Sequence, residues 1–251
     1  VGLIINMRNI KIVIEYDGTR YKGWQRLGDS DNTIQHKVEV VLSKMAGENI
    51  EVTASGRTDA GVHARNQVAN FRTDCTMSDH KMRSYCYEYL PEDIVVKSVE
   101  EVDLNFHSRY HAKVKKYVYN ICNNRTHDVF NRKYAYHIPQ SLNVEKMRKA
   151  SDILIGEHDF QSFTTLKTKK KSTIRIIHTI NIVDTDGNIE ISIQGDGFMK
   201  NMVRLIVGTL VEVGLGEKSV DEIGVILDKK ERKYAGHIAP AKGLFLEEVN
   251  Y

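Results

Sequence analysis

The alternation of apolar and polar positions divides the chain into short strands and amphipathic helices. Ile10–Tyr16 alternates at the strand period and stops at Asp17-Gly18, a turn pair. Near Thr33 the period changes and a helix begins, with Ile34, Val38, Val41, Leu42 and Met45 at helical spacing as a core stripe. Ile50, Val52 and Ala54 predict an extended approach to a turn at residues 55–61. A second alternating run follows, with Val68, Asn70 and Arg72 set against Ala69 and Phe71. Residues 79–90 predict a helix that Pro91 ends, and residues 94–102 a strand. The first half thus reads strand, helix, two strands, helix, strand, an α+β arrangement with helices on one sheet face.

The second half repeats that order of elements without repeating the sequence. Residues 112–122 predict a long strand on which Lys115, Tyr117 and Tyr119 share one face, leaving Tyr117 among cations on the strand surface. A helix over 143–154 leads to a polar loop over 156–173. Strands 174–184 and 188–194 meet at Thr185-Asp186-Gly187, a hairpin signal. A helix over 199–213 places Met199, Met202, Val203, Ile206 and Leu210 on one face and Lys200 with Arg204 on the other. A short helix over 220–230 and a strand over 243–249 complete the chain. No linker rich in Pro, Gly or Ser separates the halves, whose boundaries are expected at 7–105 and 106–251.

Composition narrows the class. The 251 residues suffice to bury a core in one large or two modest domains, and no apolar run approaches the roughly 18 residues of a membrane span. The apolar start, residues 1–6, is too short for a signal peptide, so Met7 is the expected natural start and the cytoplasm the expected compartment. Cys75, Cys86 and Cys122 are odd in number and widely spaced, which suggests reduced thiols rather than disulfides or a zinc knuckle. A net charge of +3 is mild, but the cations cluster at Lys113, Lys115 and Lys116, at Lys167 and Lys169–Lys171, and at Lys229, Lys230, Arg232 and Lys233. Such runs suit either a solvated face or a phosphate backbone.

Candidate chemistry centres on A-S-G-R-T-D-A-G-V-H-A-R-N-Q-V-A-N-F, residues 54–71. Gly56 and Gly61 bracket Arg57, Thr58 and Asp59, so the backbone can take positive φ on either side with the polar side chains outward. On spacing alone this is an ordinary turn with Asp59 bonding backbone amides. The loop over 19–28 interleaves Tyr21 and Trp24 with Lys22 and Arg26, which suits base stacking and phosphate contact or, for the tryptophan, closure of the core. Metal pairs Asp59 with His63, or His107 with His111, lack third and fourth ligands.

The string S-G-R-T-D-A-G-V-H-A closely resembles the signature of the tRNA pseudouridine synthase A family, in which this aspartate is catalytic. I-K-I-V-I-E-Y-D-G-T-R-Y-K-G-W-Q, K-V-K-K-Y-V-Y, G-E-H-D-F, G-F-M-K-N-M-V-R and A-P-A-K-G-L-F-L are similar to further blocks of that family, in the same order. The resemblance implies two similar RRM-like halves joined in one continuous mixed or antiparallel sheet flanked by helices, with the site in the cleft between them. It implies conversion of uridine to pseudouridine, by a homodimer, at positions 38 to 40 of the tRNA anticodon arm.

For the residues, the resemblance makes Asp59 the catalytic carboxylate, either attacking base or sugar or abstracting a ribose proton. Arg204 would pair with it, Arg57 would fill the space left by the extruded base, and Tyr117 would stack on that base. Lys242 and Leu244 would line the same cleft, and Lys115 and Lys200 are further candidate RNA contacts. The reaction demands no cofactor or metal. The chain departs from the family pattern at Tyr85-Cys86-Tyr87-Glu88-Tyr89, and modestly at Ser108 and His111. That leaves a paralogue acting on ribosomal RNA as an alternative. A non-catalytic RNA-binding module is a third reading, but it does not explain a carboxylate on a turn facing phosphates.

Overall fold

The structure, a computed structural model, describes residues 7–166 and 172–251. The lysine cluster at 167–171 and the first six residues therefore lie outside the described residues. The chain forms two compact units: residues through Ala112 together with Leu246–Tyr251, and Lys113–Phe245. Each is α+β, with mostly antiparallel strands and helices, as the alternation predicts.

In the first unit, β1 (Arg8–Tyr16) runs antiparallel to β3 (His63–Thr73) on one side and to β4 (Ile94–Val102) on the other. The short β2 (Thr53–Ala54) pairs with β3, and β10 (Leu244–Asn250), which belongs to this unit from Leu246, follows β3 in the sheet. Ile10, Ile12 and Ile14 are wholly buried, and α1 (Ile34–Ala46) adds the expected stripe from Ile34 to Met45. The α1 ends follow local rules. Thr33 accepts from the His36 N–H at the start, and Gly47 takes φ 72° at the end. α2 (Asp79–Tyr89) stops before Pro91.

β3 departs from simple alternation, because Val68, Ala69, Asn70 and Phe71 are all buried. A strand flanked on both sides and covered on both faces has no solvent face to mark. Its buried polar residue is satisfied. Asn70 donates to Asn9 Oδ1 and accepts from the Ser108 N–H, and the Ser108 hydroxyl donates to the Thr53 carbonyl. Ser108, a departure in sequence, is thus a structural link under β2. The extended approach expected over residues 50–54 shrinks to Thr53–Ala54, which pair in register with Asn70 and Ala69 of β3.

In the second unit the strand order is β5 (Val114–Cys122), β9 (Asn188–Gly195), β8 (Ile174–Thr185), β7 (Gly156–Asp159), and β6 (Tyr136–His137) runs parallel to β5. The β8–β9 turn has Asp186 at φ 51° and Gly187 at φ 79°, as the Asp-Gly signal requires. α3 (Val144–Asp152), α4 (Met202–Leu215) and α5 (Glu222–Lys229) pack around it. β7, within the stretch expected to be a polar loop, is a short edge strand of polar residues. It leads to a 3₁₀ turn, Phe160–Phe163, whose two phenylalanines are fully buried.

Two expectations are corrected here. The helix predicted from residue 199 begins at Met202, because Asn201 takes the left-handed conformation (φ 61°) and breaks the helical run. Lys200 consequently lies before the helix and does not share a face with Arg204. Tyr117 is not on an open surface: it is 8 % exposed and packs edge-on against Phe198, with centroids 5.2 Å apart.

Candidate active site

The Asp59 turn joins β2 to β3 in the first unit, and its seat is built from backbone. On the incoming side Ser55 N–H donates to the Val68 carbonyl at 2.7 Å, and the Gln67 amide donates to the Gly56 carbonyl at 2.8 Å. Ser55 Oγ completes that corner by donating to Gln67 Oε1. On the outgoing side Val62 N–H donates to the Asp59 carbonyl at 3.1 Å, and Gly61 takes φ 77°. Gly56 does not take positive φ, so the expected pair of left-handed glycines reduces to one.

Beneath the turn lies the loop that leaves β1. Trp24 N–H donates to the Thr58 carbonyl at 3.1 Å, and Gly61 N–H reaches the Tyr21 carbonyl at 3.4 Å. Gly23, at φ 99°, lies so close that a Cβ there would stand 2.7 Å from the Thr58 carbonyl oxygen and 3.1 Å from the Asp59 carbonyl carbon. A Cβ on Gly18 would stand 2.0 Å from the Val62 oxygen. Both glycines are there because main chain packs on main chain.

The aromatics of that loop are core. Tyr21 is 5 % exposed and Trp24 2 %, so of the two readings of the loop, closure of the core is the one the structure bears out for Trp24. The Tyr16 phenol, fully buried, shares a 2.8 Å hydrogen bond with Thr58 Oγ1. Burial pushes its pKa above the ordinary tyrosine value, and its bonds to Thr58 and Gln67 only partly offset this. Thr58 is therefore turned inward, contrary to the outward direction expected for the polar side chains. Arg57 is exposed and Asp59 half-buried.

His63 follows the turn, and its Nδ1 is engaged by the loop that leaves β1. Gly18 N–H donates to its Nδ1 at 3.1 Å, and Asp17 Oδ1 stands 3.0 Å from the same atom. His107 and His111 serve backbone amides of their own loop. Among the described residues no group of three His, Cys, Asp or Glu is disposed to hold a metal.

The remaining candidates lie in the second unit. Tyr117 pairs across the sheet with Ile193, and Lys115, half-buried, pairs with Gly195. Arg204 sits in the first turn of α4. Its Nε donates to the Ala239 carbonyl at 2.7 Å and one terminal nitrogen donates to Asn201 Oδ1 at 3.2 Å, while Ala239 N–H returns a bond to the Arg204 carbonyl. Tyr119 OH donates to the next carbonyl, Pro240. Gly243 packs so closely on Tyr119 that a Cβ would meet its ring at 2.7 Å.

Residues 239–244, which carry Lys242 and the buried Leu244, are therefore stitched to Arg204 at one end and to β5 along their length. Lys200 is exposed; its carbonyl accepts from Thr164 Oγ1 and Thr165 N–H. The cluster at 229–233 is largely paired: Lys230 with Asp159 at 3.0 Å and Lys233 with Glu231 at 2.7 Å. The residues that sequence reasoning missed are the seat itself, Tyr16, Gly18 and Gly23. Glycines spaced through an aromatic loop were the available signal.

A family model described as tRNA pseudouridine synthase matches residues 12–111 and 150–251. The chain is 53% identical over 245 residues to tRNA pseudouridine synthase A 1 of Clostridium tetani, covering 98% of this chain and 100% of that protein. With the same coverage it is 51% identical to tRNA pseudouridine synthase A of a Bacillus species and 48% identical to tRNA pseudouridine synthase A 2 of Bacillus cereus.

Proposed function

The chain belongs to the tRNA pseudouridine synthase family, and on that premise we propose that it isomerises uridine to pseudouridine in tRNA with Asp59 as the catalytic carboxylate. The observation that carries the assignment is the seat of the Asp59 turn. A half-buried aspartate sits on a turn whose stems and underside are fixed by hydrogen bonds and close main-chain packing, so the backbone that carries it is in place before substrate arrives. The isomerisation breaks the bond from N1 of uracil to the ribose, turns the base, and joins carbon 5 to the sugar. The proton of carbon 5 leaves and N1 gains one, so no outside donor or acceptor is consumed. What the protein supplies is a positioned carboxylate and a site that retains the loosened base.

In this reading Tyr117 offers the stacking ring, Arg57 takes the space vacated by the extruded base at a cost of a few kcal/mol for unstacking, and Arg204 is the site's guanidinium. The substrate uridines are those at positions 38 to 40 of the anticodon arm, and the enzyme works as a homodimer. The Tyr85–Tyr89 departure lies on α2, where Tyr87 is 77 % exposed, and it leaves the Asp59 seat unaltered.

The test is tritium release from tRNA labelled at carbon 5 of uridine. The wild-type chain is expected to release tritium, and Asp59→Asn to release none while keeping tRNA affinity within a few-fold. Near-native turnover by Asp59→Asn would remove Asp59 from its role. Pseudouridine lost only from ribosomal RNA when the gene is deleted would overturn the tRNA assignment.

A further inference from the structure

Phe130 is 88 % exposed, the barest large apolar side chain among the described residues. It is not on a frayed segment. The loop over 124–134 has closed stems: Asn123 donates from its side chain to the Ile138 and Gln140 carbonyls, and from its N–H to the Gly187 carbonyl. At the tip, Asp128 forms an Asx turn, with Oδ1 accepting from the Phe130 N–H at 2.8 Å and Oδ2 from the Asn131 amide at 2.6 Å. Arg132 donates to the Val129 carbonyl, and Lys242 Nζ donates to the Arg132 carbonyl at 3.0 Å. The chain thus invests several bonds in holding a phenyl ring out in water. Compact loops tied by their own side chains are frequently functional.

The surroundings select the partner. Arg125, Arg132 and Lys133 are exposed along the loop, and Lys242 anchors it. The loop's one carboxylate, Asp128, is turned back onto its own backbone. A two-fold contact between copies would bring this group of cations face to face, which disfavours self-association. An aromatic ring amid cations fits an unpaired base flanked by phosphates.

We propose that the Asp128–Lys133 turn is an RNA contact outside the catalytic seat, in which Phe130 stacks on an unpaired base of the tRNA while Arg132 and Lys133 face the adjoining phosphates. The proposal rests on the assignment of a tRNA substrate. It also gives Lys242 a definite duty, that of holding the loop in place.

The experiment compares Phe130→Ala, Phe130→Trp and Lys133→Ala with the wild type, using an unmodified tRNA transcript for fluorescence anisotropy and tritium release. Phe130→Ala is expected to weaken binding and raise KM by roughly 5- to 150-fold, with kcat at saturating tRNA and the melting temperature unchanged. Phe130→Trp should keep affinity, and Lys133→Ala should reduce the salt dependence of binding by about one released counterion. Wild-type affinity in Phe130→Ala would overturn the proposal. So would a fall in its melting temperature, which would make the ring structural, or loss of an oligomer in sedimentation, which would make the patch an interface between copies. Failure of the wild type to release tritium while Phe130→Ala still loses affinity would sink the catalytic assignment and leave the contact standing.

Discussion

Gly23→Ala tests whether the loop after β1 positions the Asp59 turn. The added Cβ would lie 2.7 Å from the Thr58 oxygen, 3.1 Å from the Ala60 nitrogen and 3.1 Å from the Asp59 carbonyl carbon, all main-chain atoms without a rotamer to give way. The backbone at φ 99° is also unfavourable for alanine. Strain of this kind costs about 1–3 kcal/mol. Overpacking adds about 1–3 kcal/mol more. If the whole unit absorbs the cost, the melting temperature falls by roughly 5–20 °C for a chain of this size.

If the turn yields instead, the Thr58 carbonyl must recede by 0.7 Å, from 2.7 Å to an ordinary 3.4 Å contact, and Asp59 moves with it. Misplacement near 1 Å costs about 100-fold in rate, so kcat should drop by roughly 10- to 100-fold with KM little changed. Gly28→Ala is the matched control in the same loop, since a Cβ there meets nothing within 4 Å; its effect should stay within about 0.5 kcal/mol. Tritium release under saturating tRNA and a thermal melt read both routes. Wild-type kcat and melting temperature in Gly23→Ala would refute the positioning argument. A raised KM at constant kcat would show that this loop touches RNA instead.

The other predictions concern single groups. Tyr16→Phe strands the buried Thr58 hydroxyl and should cost about 1–3 kcal/mol by denaturant unfolding, with a smaller fall in kcat than Gly23→Ala; an unchanged midpoint would mean Thr58 finds another partner. Tyr117→Phe should retain most activity, whereas Tyr117→Ala should lose turnover and about 3–5 kcal/mol of stability as its packing on Phe198 disappears; equal activities measured below both melts would deny the ring its stacking role. A thiol reagent at pH 8 should modify the partly exposed Cys75 in the native protein and spare Cys86, whose thiol is pushed up to about 12 by burial; rapid native labelling at Cys86 would contradict that burial.

Features fixed by neighbours in sequence were legible, and those fixed by distant segments were not. The start of α1 at Thr33 and the Asp186-Gly187 hairpin follow from caps and turn residues acting within a few positions. The start of α4 does not. Asn201 is held in its left-handed conformation by bonds to Thr165 and Arg204, and the apolar stripe from Met199 gives no hint of that interruption. Tyr21 and Trp24 were ambiguous for a related reason. Aromatics among cations read alike for a core plug and an RNA surface until the approach of Gly23 to Thr58 shows which side of the loop the protein covers. Asp59 itself was picked out by resemblance; spacing alone gave a turn.

That turn shows why a short motif can carry so much constraint. Its stems are bonded at Ser55 and Gly56 on one side and at Gly61 and Val62 on the other, and Thr58 is gripped by both Tyr16 and Trp24. Between these fixed points Arg57 is exposed and Asp59 half-buried. Tolerance to substitution should therefore alternate along consecutive residues. Thr58→Val, which keeps the shape but removes the hydroxyl, strains the fold, and Arg57→Ala leaves stability within about 0.5 kcal/mol while changing what the turn does to RNA. The buried Thr58 pins the middle of the turn, and in the function proposed above that pinning steadies the backbone of the neighbouring half-buried Asp59.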